Sequence, residues 1–398
     1  MNRRSFLKTG MAAATLAGVP TFGAEAVTND KAVIFLWLGG GLSRFESFHA
    51  NVNDVPDVYR SVNGIVTHSD TGLRFGADWE NLIARAKWLT TVDSYGHRDS
   101  SHNTATEYQL TGQYSTKRGP QDTTEYPGHG AIVSSVFGAN HPRNGLPTYV
   151  RQGKIAGEDP TFLGQQFKAF DPSNKENLVP KVEADRLRER RELLSGLNHG
   201  IGDLSRQAFS VIQGDAGTAF DLDKESDKTK ARYGKSAIGD QLLLARRLVE
   251  SGTRFVTIHS GGFDMHSDIS AGMKSRVPPI DIALSALLDD LHDRGMDKDV
   301  MVVVTSEFGR TTLNKSNGRD HWGATTPLLL SGGDYQHGRT IGKADKSYVP
   351  TDNKLGPIDL QRTIFDHFDI DVKTQRVDSA GRPRYIHDSQ GESKLILS

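Results

Sequence analysis

The chain is predicted to be an α/β protein, with a mostly parallel central sheet flanked by helices. Three observations predict this. Several continuous apolar runs have strand length, amphipathic helical patterns lie between some of them, and polar residues gather directly after the runs. Continuous apolar runs suit strands buried on both faces, and strand–helix–strand alternation implies parallel pairing under a cover of helices.

The first run, residues 32–38, is Ala-Val-Ile-Phe-Leu-Trp-Leu and stops at Gly39-Gly40-Gly41. Further strands are expected over residues 88–92, 254–258, 300–304 and 327–330. Ile280, Leu284, Leu287, Leu288 and Leu291 recur at helical spacing and predict a crossover helix with one apolar face. Leu360, Ile364 and Phe368 predict a late amphipathic helix in the same way. The stretch from about 174 to 250 is dense in charge and reads as a solvated helical insertion. Within it, residues 221–230 are polar and are expected to form a loop.

Residues 1–26 read differently from the rest. Arg3 and Arg4 precede Ser5-Phe6-Leu7-Lys8, a short Ala- and Gly-rich apolar stretch follows, and Ala24-Glu25-Ala26 offers a small-x-small cleavage site. Paired arginines, short apolar middle and small-residue end predict a twin-arginine export signal. The expected partner is therefore the twin-arginine translocation machinery, and the expected location is the periplasm or beyond. The apolar stretch is shorter than the ~20 residues a membrane span needs, so no stable span is expected after cleavage. Residues 27–398 are expected to form a single domain.

Composition excludes several functions. Lys and Arg number 48 against 49 Asp and Glu, so no basic surplus points to nucleic acid or to an anionic membrane. The chain has no cysteine, so disulfides and Cys metal sites are excluded. Any metal must be held by carboxylates, amides, hydroxyls or some of the 14 histidines.

Four polar segments each follow an apolar run or a glycine-rich turn, and ligands of open α/β sheets gather at the carboxyl ends of strands. Residues 259–268 include Asp264 and His266, a carboxylate and an imidazole that suit Zn or Mn. The alternative is a hydrogen-bonded loop in which Asp264 caps a helix. Residues 305–310 place Glu307 as a ligand beside Arg310, whose guanidinium can hold an anion. The alternative is a bare Glu307–Arg310 ion pair. Residues 318–323 add Arg319, Asp320 and His321. Residues 97–104 add His97, His102 and the hydroxyls of Ser100, Ser101 and Thr104, just before an expected helix.

Together with Leu110-Thr111-Gly112, the motifs GGFDMHSD from Gly261, EFGRT from Glu307, GRDHW from Gly318 and GRP from Gly381 resemble domain of unknown function 1501. That is an exported family related to the alkaline phosphatase and sulfatase superfamily. The resemblance implies an alkaline phosphatase-like fold and one or two divalent cations, as Zn, Mn or Ca. It implies Asp264, His266, Glu307 and His321 as ligands, with Arg310 and Arg319 facing an anionic ester. His102 falls where sulfatases carry their nucleophile and can serve as ligand, general acid/base or nucleophile. Phe308 replaces a superfamily histidine, and Arg44 and Glu46 replace its first-loop His and Asp. With no cysteine to become formylglycine, ordinary sulfatase chemistry is ruled out. The expected function is an exported metal-dependent hydrolase of phosphate or sulfate esters, or else a non-catalytic exported binding or assembly protein on the same fold.

Overall fold

The computed structural model describes residues 29–50, 55–115, 124–155, 157–173, 216–378, 380–387 and 393–398. The expected export signal and residues 174–215 of the charged middle segment lie outside them. In chain order the elements that build the site are β1 (Ala32–Gly39), β2 (Leu89–Val92), α1 (His102–Thr111), α2 (His129–Phe137) and β3 (Tyr149–Gln152). They continue with α3 (Ala237–Glu250), β4 (Phe255–Gly261), α4 (Ile269–Asp293), β5 (Val300–Thr305) and β6 (Gly309–Leu313). The last are β7 (Arg319–Trp322), β8 (Leu328–Gly332), β9 (Arg339–Ile341) and α5 (Pro357–His367).

Seven strands form the sheet in the order β9-β2-β8-β5-β1-β4-β3. β1 is parallel to both β4 and β5, β3 is parallel to β4, and β8 alone runs against its neighbours. This is the mixed α/β, mostly parallel architecture that the apolar runs predict. β1 is central and buried along its whole length. Side chains alternate across a strand, so Ile34, Leu36 and Leu38 enter the core under α3 and α4. Val33, Phe35 and Trp37 enter the opposite core, under α1, α2 and α5. A strand with two buried faces can afford no polar alternation, which is why its sequence is a continuous apolar run.

The leucine stripe of α4 packs as expected, with Ile280, Leu284, Leu287, Leu288 and Leu291 at most 2% exposed. Each such side chain contributes about 1.5–3 kcal/mol by leaving water. Two expectations change. The segment read as a solvated insertion ends in α3, which is a core helix: Leu242, Leu243 and Leu248 are buried under the sheet. Residues 227–232 form a short helix rather than a loop, because the Ser226 hydroxyl caps it by accepting the Thr229 N–H at 3.0 Å. Among the described residues no helix is long and apolar enough to cross a membrane.

The register brings the functional segments together. Gly39 lies opposite Gly261, and Trp37 lies opposite Thr305. The three central strands therefore end at one edge, and the chain after each of them enters the same place. The β6–β7 hairpin adds His321 there, paired with Arg310 across the hairpin.

Candidate metal centre

The floor of the site is main chain. Gly40 has φ +112°, and a Cβ on it would lie 2.5 Å from the Asp264 nitrogen, so only glycine lets the two loops touch. The Gly40 N–H donates to Glu307 Oε1 at 2.8 Å. The Ser306 hydroxyl accepts the N–H groups of Gly41 and Leu42 and donates to the Leu38 carbonyl at 2.6 Å. These bonds lock the ends of β1 and β5 together beneath the side chains that follow.

Three imidazoles surround the Asp264 carboxylate. His321 Nε2 and His266 Nε2 each lie 3.0 Å from Asp264 Oδ1, and 3.0 Å from each other. His102 Nε2 lies 3.3 Å from Asp264 Oδ2. Ligand atoms of His102, Asp264 and His321 all fall within 4.8 Å of one another. The far side of each ring is held by an acceptor. His102 Nδ1 meets Glu307 Oε1 at 2.7 Å, His266 Nδ1 meets Asp320 Oδ1 at 2.8 Å, and His321 Nδ1 meets the Ser100 carbonyl at 3.0 Å.

A carbonyl or an ionised carboxylate can only accept, so each Nδ1 carries a proton; in the neutral ring Nε2 then presents a lone pair inward, and in the doubly protonated ring it donates to Asp264. Lone pairs 3.0 Å apart, facing a carboxylate, repel unless a proton or a cation lies among them. Outward Nδ1–H to carboxylate or carbonyl, with Nε2 inward, is the arrangement of metal-bound histidines. Two ligands on a tetrahedral zinc lie about 3.3 Å apart, from bond lengths of ~2.0–2.1 Å, and the observed separations fit. Imidazole and carboxylate donors suit zinc-class metals, whereas Ca prefers six to eight oxygens. The donor set therefore fits a divalent transition metal and does not fit Ca.

The electrostatics agree with this geometry. Burial opposes ionisation of Asp264, but the Arg310 guanidinium and His321 outweigh it and hold the carboxyl well below the usual range. Burial also opposes ionisation of Glu307, yet the hydrogen bonds from His102 and from backbone keep its pKa low. The Glu307 carboxylate raises the His102 pKa against the effect of burial. The His266 hydrogen bond lowers Asp320. The cluster thus concentrates negative charge around inward-facing nitrogens.

Several expected roles change. Glu307 stands behind His102 rather than among the Nε2 atoms, because its side chain turns under the Gly40 N–H. Arg310 and Arg319 were expected to face an anion, and both are fully buried. Arg310 donates to the carbonyls of Gly41, Arg319, Phe263 and Gly40 and to Asp264 Oδ1 at 2.6 Å. Arg319 binds Glu46 at 2.8 Å and the carbonyls of Val58, Arg60 and Thr311. Their guanidinium groups are spent on joining loops. Arg310 meets Asp264 instead of forming the simple Glu307 pair, and the helix cap ahead of α4 is Asp268, not Asp264. Arg44 and Glu46 are buried and pair with Asp93 and Arg319. Phe308 is buried and packs its ring 4.9 Å from that of His102 and 4.6 Å from that of His321. His97 serves the frame, its Nε2 lying 2.7 Å from the Glu307 carbonyl.

Ser100 was expected to act through its hydroxyl, and no role was expected of Ser306 or Arg276. Ser100 acts through its carbonyl, which leaves no mark in a sequence. Ser306 knots the loops with an ordinary hydroxyl. Arg276 reaches back from α4 over Gly261 and Gly262, and its Nη1 donates to the Gly261 carbonyl at 3.3 Å. Among the described residues it forms no ion pair, so an exposed guanidinium borders the Asp264 loop. The missed signal was the Gly261-Gly262 pair, which leaves room for a long side chain to lie across it.

Comparisons with known proteins follow this geometry. Solved structures to which the chain is similar include lipoteichoic acid synthase LtaP from Listeria monocytogenes, at 10% identity and TM-score 0.42, covering 88% of this chain and 74% of that one. A protein in the alkaline phosphatase superfamily from Vibrio parahaemolyticus matches at 10% identity and TM-score 0.39, covering 88% and 68%. Phosphonate monoester hydrolase SpPMH from Silicibacter pomeroyi matches at 12% identity and TM-score 0.38, covering 86% and 74%. No curated protein matches the sequence. Residues 30–396 match the family described as "Protein of unknown function (DUF1501)", and the chain belongs to that family, as its motifs predict.

Proposed function

We propose that the protein is an exported, metal-dependent hydrolase of anionic phosphate or sulfate esters. The observation that carries this reading is the convergence of Asp264, His266 and His321, whose ligand atoms lie 3.0 Å apart. A divalent cation held there supplies Lewis acidity that polarises an ester oxygen. Asp264 and His266 are about half exposed, so an ester can approach the cluster from solvent. Arg276 supplies a positive charge at the border for the ester's anionic group. Zinc or another borderline metal is the expected occupant.

The test is elemental analysis of the natively exported protein, followed by a panel of phosphate and sulfate esters with and without chelator. Stoichiometric transition metal and chelator-sensitive turnover are expected. Metal-free protein, or turnover indifferent to chelation, would refute the proposal. One observation favours the rival reading of a non-catalytic binding or assembly protein: Arg310 and Arg319, the guanidinium groups nearest the cluster in sequence, are both spent on structure. Tight metal binding without turnover of any ester would support that rival. Export itself rests on Arg3 and Arg4. Replacing both by Lys is expected to retain the protein in the cytoplasm, as cell fractionation would report.

A further inference from the structure

Resting on the metal reading above, we infer that His102 is a ligand of that cation, through Nε2, beside Asp264 and His321, and that Glu307 is its positioning residue. The residue that opens α1 then holds metal and makes no bond to an ester.

Three observations carry this. First, His102 Nε2 is buried from solvent and has no hydrogen-bond partner, although it sits 3.3 Å from Asp264 Oδ2. A buried ring nitrogen without a partner costs stability unless something absent from the protein itself completes it. Second, a nucleophile must be reachable by the ester. The accessible part of this ring, 35% of the side chain, is not its inward nitrogen. Phe308 and His321 pack against the ring at centroid distances of 4.9 and 4.4 Å. Third, Glu307 is 4% exposed and accepts the Nδ1–H of His102 at 2.7 Å, while the Gly40 N–H fixes the carboxylate in turn. A carboxylate behind an imidazole orients it and raises its basicity as a ligand. His102, Asp264 and His321 make a set of two imidazole nitrogens and one carboxylate oxygen whose ligand atoms lie within 4.8 Å of one another, and such a set leaves a coordination position open. With His102 ligating, water would supply the oxygen that displaces the leaving group.

Wild-type protein labelled with ¹⁵N-histidine and loaded with ¹¹³Cd tests this without any substitution. Nε2 resonances of His102 and His321 coupled to cadmium are expected. Coupling at His321 with His102 uncoupled would overturn the inference while leaving the metal reading intact. No cadmium binding at all would sink the metal reading instead. Cobalt(II) titration of variants gives a second measure. His102→Ala should weaken binding and change the visible ligand-field bands. Glu307→Gln should weaken binding by about 10–100-fold and keep the bands, as loss of an orienting partner does. Unchanged affinity and spectrum in folded His102→Ala would refute ligation. So would a covalent phosphoryl adduct on His102 in protein quenched during turnover.

Discussion

Two polar clusters in this molecule are equally dense and teach opposite lessons. On the α3–α4 side, Arg246 is 1% exposed and pairs with Glu225 at 2.6 Å, Glu250 at 2.5 Å and Asp290 at 2.9 Å. There, a guanidinium meets carboxylates. At the carboxyl edge of the sheet, three imidazoles and the Arg310 guanidinium converge on the Asp264 carboxylate. The first arrangement is a network of ion pairs that joins helices. The second gathers the imidazole and carboxylate donors that hold a zinc-class metal. Density of charge does not separate frame from site; the kind of donor that converges does.

The comparison can be broken or sharpened by experiment, and the largest effect is expected at the site. Asp264→Asn keeps the shape but removes the shared carboxylate. Metal binding should be lost, and any ester turnover should fall by roughly a thousandfold or more, the several kcal/mol that a cation contributes. Retained metal and turnover would mean that the cluster is misread. Arg246→Ala should do the reverse. Leaving buried carboxylates without their partner costs about 3–5 kcal/mol of folding stability. Chemical denaturation should show that loss, while the metal affinity of the folded fraction stays as in the wild type.

A third prediction concerns Glu158, buried beside Thr257, Tyr149 and Arg151. Burial outweighs its hydrogen bonds and raises its pKa from the ordinary 4.5 to about 7. A carboxyl with a raised folded pKa favours folding while it is protonated. Its contribution is therefore full below pH 4.5 and is lost as pH rises through about 7. The loss is at most about 3 kcal/mol. Melting curves between pH 5 and 8 should show it in the wild type and should flatten in Glu158→Gln; parallel curves would assign the dependence to other groups. The smallest effect is expected at the border. Arg276→Ala should raise KM for an anionic ester about tenfold, the worth of one charged contact, with kcat within a factor of two or so. An unchanged KM would remove Arg276 from the substrate's path.

The sheet was legible because buried central strands have no polar positions to spare. Residues 32–38 and 300–304 announce themselves by that exclusion, and α4 by the spacing of its leucines. The loops that carry the site were legible from their place after the strands. Side-chain direction within them was not. Glu307 lies one residue from Ser306 and Phe308, and nothing in the sequence tells that its carboxylate turns under Gly40 to reach His102. Arg310 and Arg319 look like anion binders by type, yet the carbonyls of three loops converge on them. Those carbonyls belong to residues of any identity, so their pull on a guanidinium is invisible before folding. The meeting of Asp264, His266 and His321 was legible because a carboxylate and imidazoles close in the chain share a short loop or a hairpin turn.

The glycine run that ends β1 decides where donors at this edge can come from. A side chain at Gly39 would strike His259 Nε2 at 2.6 Å, one at Gly40 the backbone of Asp264 at 2.5 Å, and one at Gly41 the Phe308 ring. The tip of the central strand thus has no vacancy for a carboxylate, whichever residue mutation offers there. The next carboxylate along, Glu46, is already bound to Arg319 in the interior. Every side-chain donor at this edge must therefore come from the loops that surround the tip of β1, and none from the tip itself.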